Sequence, residues 1–337
     1  LFNAFGLREW CDASAGSAKM TMASLLAKTN PDAADEGPLF PFPSMDELYK
    51  ACPSFPQSRE FTAGVEEAFL NAKDVLKTVL DPLTQPLSWL LEGALFIFLA
   101  APWWIVVPLI LLFVWYVCRS VAVTTFVTVS FAFLAFIDHL DAALQTLAII
   151  AVCTGICIIL GVPVGIAMAK SNRFQRSLLP LLDLLQTLPT FVYLIPLIFL
   201  FSVTEPKLYG IAIIVYAIVP VIRLTDLGIR LVDQDVVEAA NAFGMSSRQK
   251  LFGIELPLAL PNIMAGVNQT IMMSLAMVVI ASLVSAPGLG VLVLRGIRNL
   301  ELGVGLIAGL GIVLLAVILD RVSKAAIARV SSDQTFK

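Results

Sequence analysis

What most constrains this chain is the recurrence of apolar runs long enough to cross a bilayer. A helix rises about 1.5 Å per residue, so a hydrocarbon core about 30 Å thick takes about 17–25 residues. Runs of that order lie at Pro102–Cys118, Val121–Ile137, Ala142–Ala169, Leu178–Phe201, Leu208–Leu227, Ile263–Ser285 and Gly303–Leu319. In lipid each backbone polar group must be satisfied internally, which makes helices the reading for runs this long. Composition agrees: of 337 residues, 58% are hydrophobic and 14% charged, where a soluble domain carries about a quarter charged. The expected fold class is an all-α membrane protein with about seven transmembrane helices. Pro163 predicts a kink in the third run, and Pro189 and Pro196 predict kinks in the fourth.

Ahead of these runs, residues 1–58 are polar, with a Pro-rich stretch from Pro38 to Pro56 that cannot hold a long helix. They read as a tail or extended arm. From Arg59 to Leu80 the pattern changes. Phe61, Val65, Phe69, Leu76, Val79 and Leu80 recur on one side of a helix, with Glu66, Glu67, Lys73, Asp74 and Lys77 mostly elsewhere. This is an amphipathic helix for a membrane surface or a partner. Leu87–Ala100 is apolar but short, and reads as interfacial. The organisation is then a tail over 1–58, amphipathic and interfacial helices over 59–100, two peripheral transmembrane helices over 101–141, a core over 142–322 and a tail over 323–337.

Orientation follows from basic residues in short loops, which stay cytoplasmic. Lys170, Arg173 and Arg176 follow the third run; Arg223, Arg230, Arg248 and Lys250 follow the fifth; Arg321, Lys324 and Arg329 follow the seventh. With all seven runs crossing, these groups share one side. The N-terminus is then periplasmic and the C-terminus cytoplasmic. Arg295 and Arg298 run against the trend.

The polar segment between the fifth and sixth runs carries its own structural signals. Asp235 with Glu238, and Ser246 with Gln249, have capping-box spacing and predict two helix starts. Gly244 can take the left-handed conformation that ends the first helix, and Pro257 is expected to end the second. A helix, a glycine corner and a second helix follow, on the basic side of the membrane.

This segment resembles the EAA motif of binding-protein-dependent ABC importer permeases: Glu238, Ala239, Ala240, then Gly244, Ile254, Leu256 and Pro257 at the motif's spacing. The resemblance implies an importer-type permease core whose loop 233–257 is the coupling helix that docks on an ATPase subunit. Beyond the loop, Gln186 to Pro196, Ala265 to Thr270 running on through Met277 to Ser282, and Pro287 to Gly290 look like the permeases of glycine betaine/proline betaine importers. The likeness covers roughly residues 61–321.

A quaternary ammonium has no N–H to donate, so aromatic faces suit it. Phe191 and Tyr193 follow Pro189 and can line a path; the alternative is a lipid-facing or packing role. Polar groups inside the runs, Gln186 with Thr187 and Asn268 with Gln269 and Thr270, read equally as path-lining or as interhelical hydrogen bonds. Gln145 with Thr146 reads as the latter. Asp183, Arg223, Asp226 and Asp320 lie near the ends of their runs rather than the centres, which argues against a proton-coupled carrier.

Net charge is −3, so nothing points to nucleic acid. The chain has no Gly-rich phosphate loop ending in Lys-Ser/Thr, and a single His. It is therefore read as non-catalytic, with no metal or cofactor of its own, and with ATP and Mg on a partner. Cys153 and Cys157 share a face with no His or acid beside them, which argues against a metal site. Cys11 and Cys52 can pair if the N-terminal part faces the periplasm. The implied partners are an ABC ATPase dimer, a periplasmic substrate-binding protein, the bilayer and a second permease, which the resemblance makes another copy of this chain. Alternatives are the same architecture importing choline, an amino acid or another small solute, or an ion-coupled secondary carrier.

Overall fold

The computed structural model describes residues 58–335, and among them there is no strand. The chain divides into two compact units, Leu1–Val75 and Leu76–Lys337. Of the described residues, the first unit holds only the start of one helix. The Pro-rich tail with Cys11 and Cys52 lies outside the described residues.

Helix α1, Ser58–Ala100, is one helix of 43 residues, where the sequence predicts an amphipathic helix and a separate interfacial one. Pro82 and Pro86 lie within it. Each proline removes one backbone hydrogen bond without stopping the chain, a loss membrane helices tolerate. Its stretch Thr62–Ala100 is apolar enough to span. Helices α2, Trp103–Cys118, and α3, Val121–Phe136, have 16 residues each and so rise only about 24 Å. They are joined at Arg119, whose φ of 49° turns the chain.

The expected span count is corrected accordingly. Five helices are long and apolar enough to cross a membrane, or six if one bent pair is a single span. Four of the expected runs are among the five: α4 (Leu140–Lys170), α7 (Pro206–Arg230), α10 (Leu256–Ala281) and α12 (Leu302–Thr335). The fifth is α1, and the bent pair is the expected fourth run. α4 passes through Pro163 as one helix.

The bend itself is large. α5, Asn172–Thr187, and the following segment Thr190–Leu200 meet at 106°. Leu188 is extended (φ −65°, ψ 134°), as the residue before a proline must be to clear the ring of Pro189. A 3₁₀ turn, Thr190–Tyr193, then leads to α6, Leu194–Leu200. Pro196 falls in the first turn of α6, where its missing N–H costs nothing. α5 is amphipathic: Leu178, Leu179, Leu182 and Leu185 face the core with Met168 and Val219, while Arg173, Arg176 and Asp183 are exposed.

The core is built on α7, which packs along both α4 and α10. Small residues let the backbones meet. A Cβ at Gly165 would lie 2.7 Å from the Ile222 carbonyl oxygen, and one at Gly228 would lie 2.8 Å from Asn262 Cβ. α11, Leu289–Asn299, pairs with α12. Its N-terminus is held by Thr146 of α4, whose Oγ1 accepts the Leu289 N–H at 3.0 Å. Gly288 makes this seam possible, with φ of 120° and no room for a side chain against Thr146.

Candidate functional site

The segment between α7 and α10 folds as two arms around a corner. α8, Gln234–Ala242, begins at Asp233, whose side chain accepts the Asp235 N–H at 3.0 Å. The cap is therefore Asp233, not Asp235. Asp235 lies in the first turn instead, where its charge favours the helix N-terminus. The helix ends in a Schellman motif: Gly244 N–H donates to Asn241 O at 3.0 Å and Met245 N–H to Ala240 O at 3.1 Å. Gly244 has φ of +72°, the left-handed value glycine adopts without Cβ strain.

The second arm opens with α9, Ser247–Lys250, under a complete capping box. Ser246 Oγ accepts the Gln249 N–H at 3.4 Å, and Gln249 Oε1 accepts the Ser246 N–H at 2.9 Å. Pro257 does not end this arm. A π turn, Leu251–Glu255, leads directly into α10, and Ser247–Val284 forms one long helical path. Pro257 has no N–H for the Gly253 carbonyl and its ring would crowd that oxygen in an α-helix. The widened turn gives it room, with Leu256 N–H bonding back to Leu251 O. The second arm is thus a rigid extension of a membrane helix.

One side of the loop is anchored. Val237 and Leu256 pack with Ile229, Val232, Ala259 and Ile263, and Val162, Ile166 and Ala169 of α4 join them. Ala240 is buried, and Lys250 Nζ reaches Asn241 Oδ1 at 2.9 Å to tie the arms together. The other side is open. Glu238 and Ala239 are exposed, Phe243 is 87% exposed and Phe252 67% exposed. Ile254, Leu256 and Pro257 are half-buried where the loop meets the bundle. Sequence reasoning passed over both phenylalanines. The available signal was an apolar residue next to the helix-ending glycine, at the part of the loop farthest in sequence from either span.

The loop's ends are held by ions that the sequence placed only as charges near run ends. Asp226, buried, accepts from Arg230 Nε at 2.8 Å and from Gln175 Nε2 at 2.7 Å. Arg230 also donates to Asn172 Oδ1 at 2.8 Å and to the Met168 carbonyl at 2.7 Å. Glu255, buried in the π turn, pairs with Lys170 at the end of α4.

The residues expected along a path separate into two environments. Gln186 is half-buried at the end of α5, and Thr187 is exposed and bonds to Leu184 O at 3.2 Å. Phe191 is exposed. Tyr193 is buried, donates its hydroxyl to the Leu185 carbonyl and stacks obliquely on Tyr216, with centroids 6.4 Å apart. On α10, Asn268 Nδ2 donates to Asp320 Oδ1 at 3.4 Å and its Oδ1 accepts from Ser323, which is the interhelical reading. Gln269 is exposed and Thr270 fully buried, its hydroxyl without a partner among the described residues. The turn bearing Phe191 and Tyr193 packs against α10. No group of three or more His, Cys, Asp or Glu among the described residues could hold a metal.

Residues 161–332 match the family of binding-protein-dependent transport system inner membrane components. The chain belongs to this family. As one of these inner membrane components it is a multi-pass transport protein. It is 39% identical over 285 residues to the glycine betaine/proline betaine transport system permease protein ProW of Escherichia coli, covering 84% of this chain and 78% of that one. It is 42% identical over 229 residues to the glycine betaine transport system permease protein OpuAB of Bacillus subtilis, covering 68% and 76%. Among solved structures, an inward-facing MetNI methionine ABC transporter chain superposes with a TM-score of 0.52 at 18% identity, over 57% of this chain and 95% of that chain. That likeness shows the fold. The matched region of this inner membrane component takes in α7, loop 233–257 and α10.

Proposed function

We propose that the chain is the permease subunit of an ATP-driven importer for glycine betaine, proline betaine or a related quaternary ammonium osmolyte. The observation that carries the drive is the loop 233–257: an anchored, doubly capped corner whose second arm continues into α10. A push on such a corner moves a membrane helix rather than a slack connection. Glu238, Ala239 and Gly244 are the residues assigned to docking, with Phe243 and Phe252 beside them, while Ala240 is buried on the anchored side and supports that surface from within. Ile254, Leu256 and Pro257 join the docking surface to the bundle. ATP and Mg then sit on a separate ATPase dimer, and this chain needs no cofactor.

The cargo reading rests on the relatives' named substrates. It is supported by the exposed aromatic face of Phe191, which attracts a cation that cannot be hydrogen-bonded, while Tyr193 is buried against Tyr216. In this reading Gln186, Thr187 and Gln269 border the path, Thr270 is buried away from it, and Asn268 holds α10 to α12. A periplasmic binding protein delivers the cargo, and a second copy of this chain completes the pathway. The basic residues of loop 233–257 and of α5 support a reading in which that face is cytoplasmic, the N-terminus periplasmic, the C-terminus cytoplasmic and 142–322 the permease core.

The test is uptake by vesicles holding this chain with its cognate ATPase and binding protein. Glu238→Lys and Gly244→Pro are expected to abolish substrate-stimulated ATP hydrolysis and glycine betaine uptake while membrane insertion persists. Unchanged uptake would sink the assignment of the loop. A binding protein that ignores quaternary ammonium compounds would move the cargo to another small solute, and uptake without the ATPase would reveal an ion-coupled carrier.

A further inference from the structure

The two ends of loop 233–257 do not merely continue into α7 and α10. Both grip the same third element, the corner between α4 and α5 at residues 168–175. From the entry side, Arg230 in the last turn of α7 donates to the Met168 carbonyl at 2.7 Å and to Asn172 Oδ1 at 2.8 Å. Met168 is in the final turn of α4; its carbonyl accepts the Ser171 N–H at 3.2 Å and takes the guanidinium as a second donor, so Arg230 completes the cap of that helix from a neighbour. Asp226, one turn before Arg230, takes Gln175 Nε2 at 2.7 Å. From the exit side, Glu255 takes Lys170. Glu255 is enclosed, with its side chain 7% exposed, while Lys170 remains 40% exposed. A buried carboxylate with a partner on another helix fixes the relative position of the two backbones, because leaving it unpaired is costly.

The corner leads into α5, then through the 106° bend to the turn bearing Phe191 and Tyr193. That turn packs on α10, the helix that the second arm of the loop extends. The contacts therefore close a circuit: loop, corner, α5, bend, α10 and back to the loop. The corner joins this circuit at the loop end, while the packing of α5 on α7 and the Arg223–Asp183 pair hold the bent element farther along.

We propose that the corner 168–175 is a transmission element, with Lys170 and Glu255 as its positioning pair, carrying loop movement to the bent α5–α6 segment. The proposal rests on the coupling role of the loop stated above. Lys170 and Glu255 act through position: they keep the corner in step with the lever that Ser247–Val284 forms.

The experiment uses the full transporter, with this chain, its ATPase and its binding protein in vesicles. Three quantities are measured: ATPase co-purification, ATP hydrolysis and glycine betaine moved per ATP. Glu255→Gln is nearly isosteric and leaves no buried charge, so it is expected to assemble and to hydrolyse ATP. Cargo moved per ATP is expected to fall about fivefold or more, the range of one interaction's coupling. Lys170→Glu is expected to do the same or worse, and the exchange Lys170→Glu with Glu255→Lys to restore most of the loss. Wild-type cargo per ATP in Glu255→Gln, loss of ATPase co-purification in that variant, or an exchange no better than the single changes would each overturn the proposal. Glu238→Lys reports separately on the underlying reading. If it leaves assembly and uptake intact, the loop is not the coupling element, whatever Glu255→Gln does.

Discussion

The two ends of α7 carry ion clusters of opposite construction. At the N-terminal end the cation is enclosed: the Lys207 side chain is 5% exposed, while its partners Asp81 and Glu205 are each 34% exposed. Its ammonium lies 2.6 Å from Asp81 Oδ1 and 2.8 Å from Glu205 Oε2, and 5.2 Å from the centre of the Phe201 ring. At the loop end the carboxylates are enclosed, with Asp226 at 8% and Glu255 at 7%, while Arg230 and Lys170 are 31% and 40% exposed. The burden of desolvation thus falls on the positive group at one end and on the negative groups at the other. Long cationic side chains reach out to water and can find other acceptors, whereas short carboxylates are fixed by their backbone. The N-terminal end pins α1 to α7, where Leu87 and Leu91 already crowd Gly210.

This comparison fixes which substitution hurts at each end. The largest effect is expected where an enclosed charge loses every partner. The double change Asp81→Asn with Glu205→Gln strands the Lys207 ammonium and should cost about 3–5 kcal/mol. Lys207→Met leaves carboxylates that water already reaches, and should cost about 1 kcal/mol. At the loop end the order reverses: Lys170→Met strands Glu255 and should destabilise more than Glu255→Gln, by about 2 kcal/mol. Thermal unfolding of the purified protein in detergent reads all four. Equal losses for the two partners at either end would break the comparison.

A smaller effect separates the two carboxylates at the start of α8. Asp233→Ala removes the side chain that caps the helix and should cost about 1 kcal/mol. Asp235→Ala removes only a favourable charge in the first turn, about 0.3–1 kcal/mol. The reverse order, read as hydrogen-exchange protection over residues 236–243, would move the cap to Asp235.

Much of the loop was legible because its determinants are local. Ser246 with Gln249 and the left-handed Gly244 stand as the spacing predicts. Asp233 was missed because two acids flank the helix start and only backbone geometry selects between them. Pro257 was misjudged as a terminus because a π turn, invisible in sequence, absorbs its ring. The seven spans are not confirmed for a different reason. α2 and α3 are short, and hydropathy reports apolar length and not direction, so the 106° bend at Pro189 leaves five or six candidate spans. The continuity of α1 through Pro82 and Pro86 was likewise hidden, because each proline alone is a plausible end. The ion clusters were visible only as charges near run ends, since their partners come from far along the chain. Asp81 with Lys207 and Lys170 with Glu255 are tertiary facts. Among the expected path residues, Asn268 is bonded to Asp320 and Ser323, a pairing that neither spacing nor composition reveals.

The central claim is that loop 233–257 receives the force of ATP hydrolysis through its open side. Phe243 is the most direct probe, because its ring is 87% exposed and its removal disturbs no packing. The measurement is ATP-driven glycine betaine uptake by vesicles carrying Phe243→Asp with the cognate ATPase and binding protein, alongside ATPase co-purification. The account expects co-purification and uptake both to fall about tenfold or more, as when a buried anchor is lost from an interface, with membrane insertion at the wild-type level. Wild-type uptake and wild-type ATPase association in that variant would contradict it.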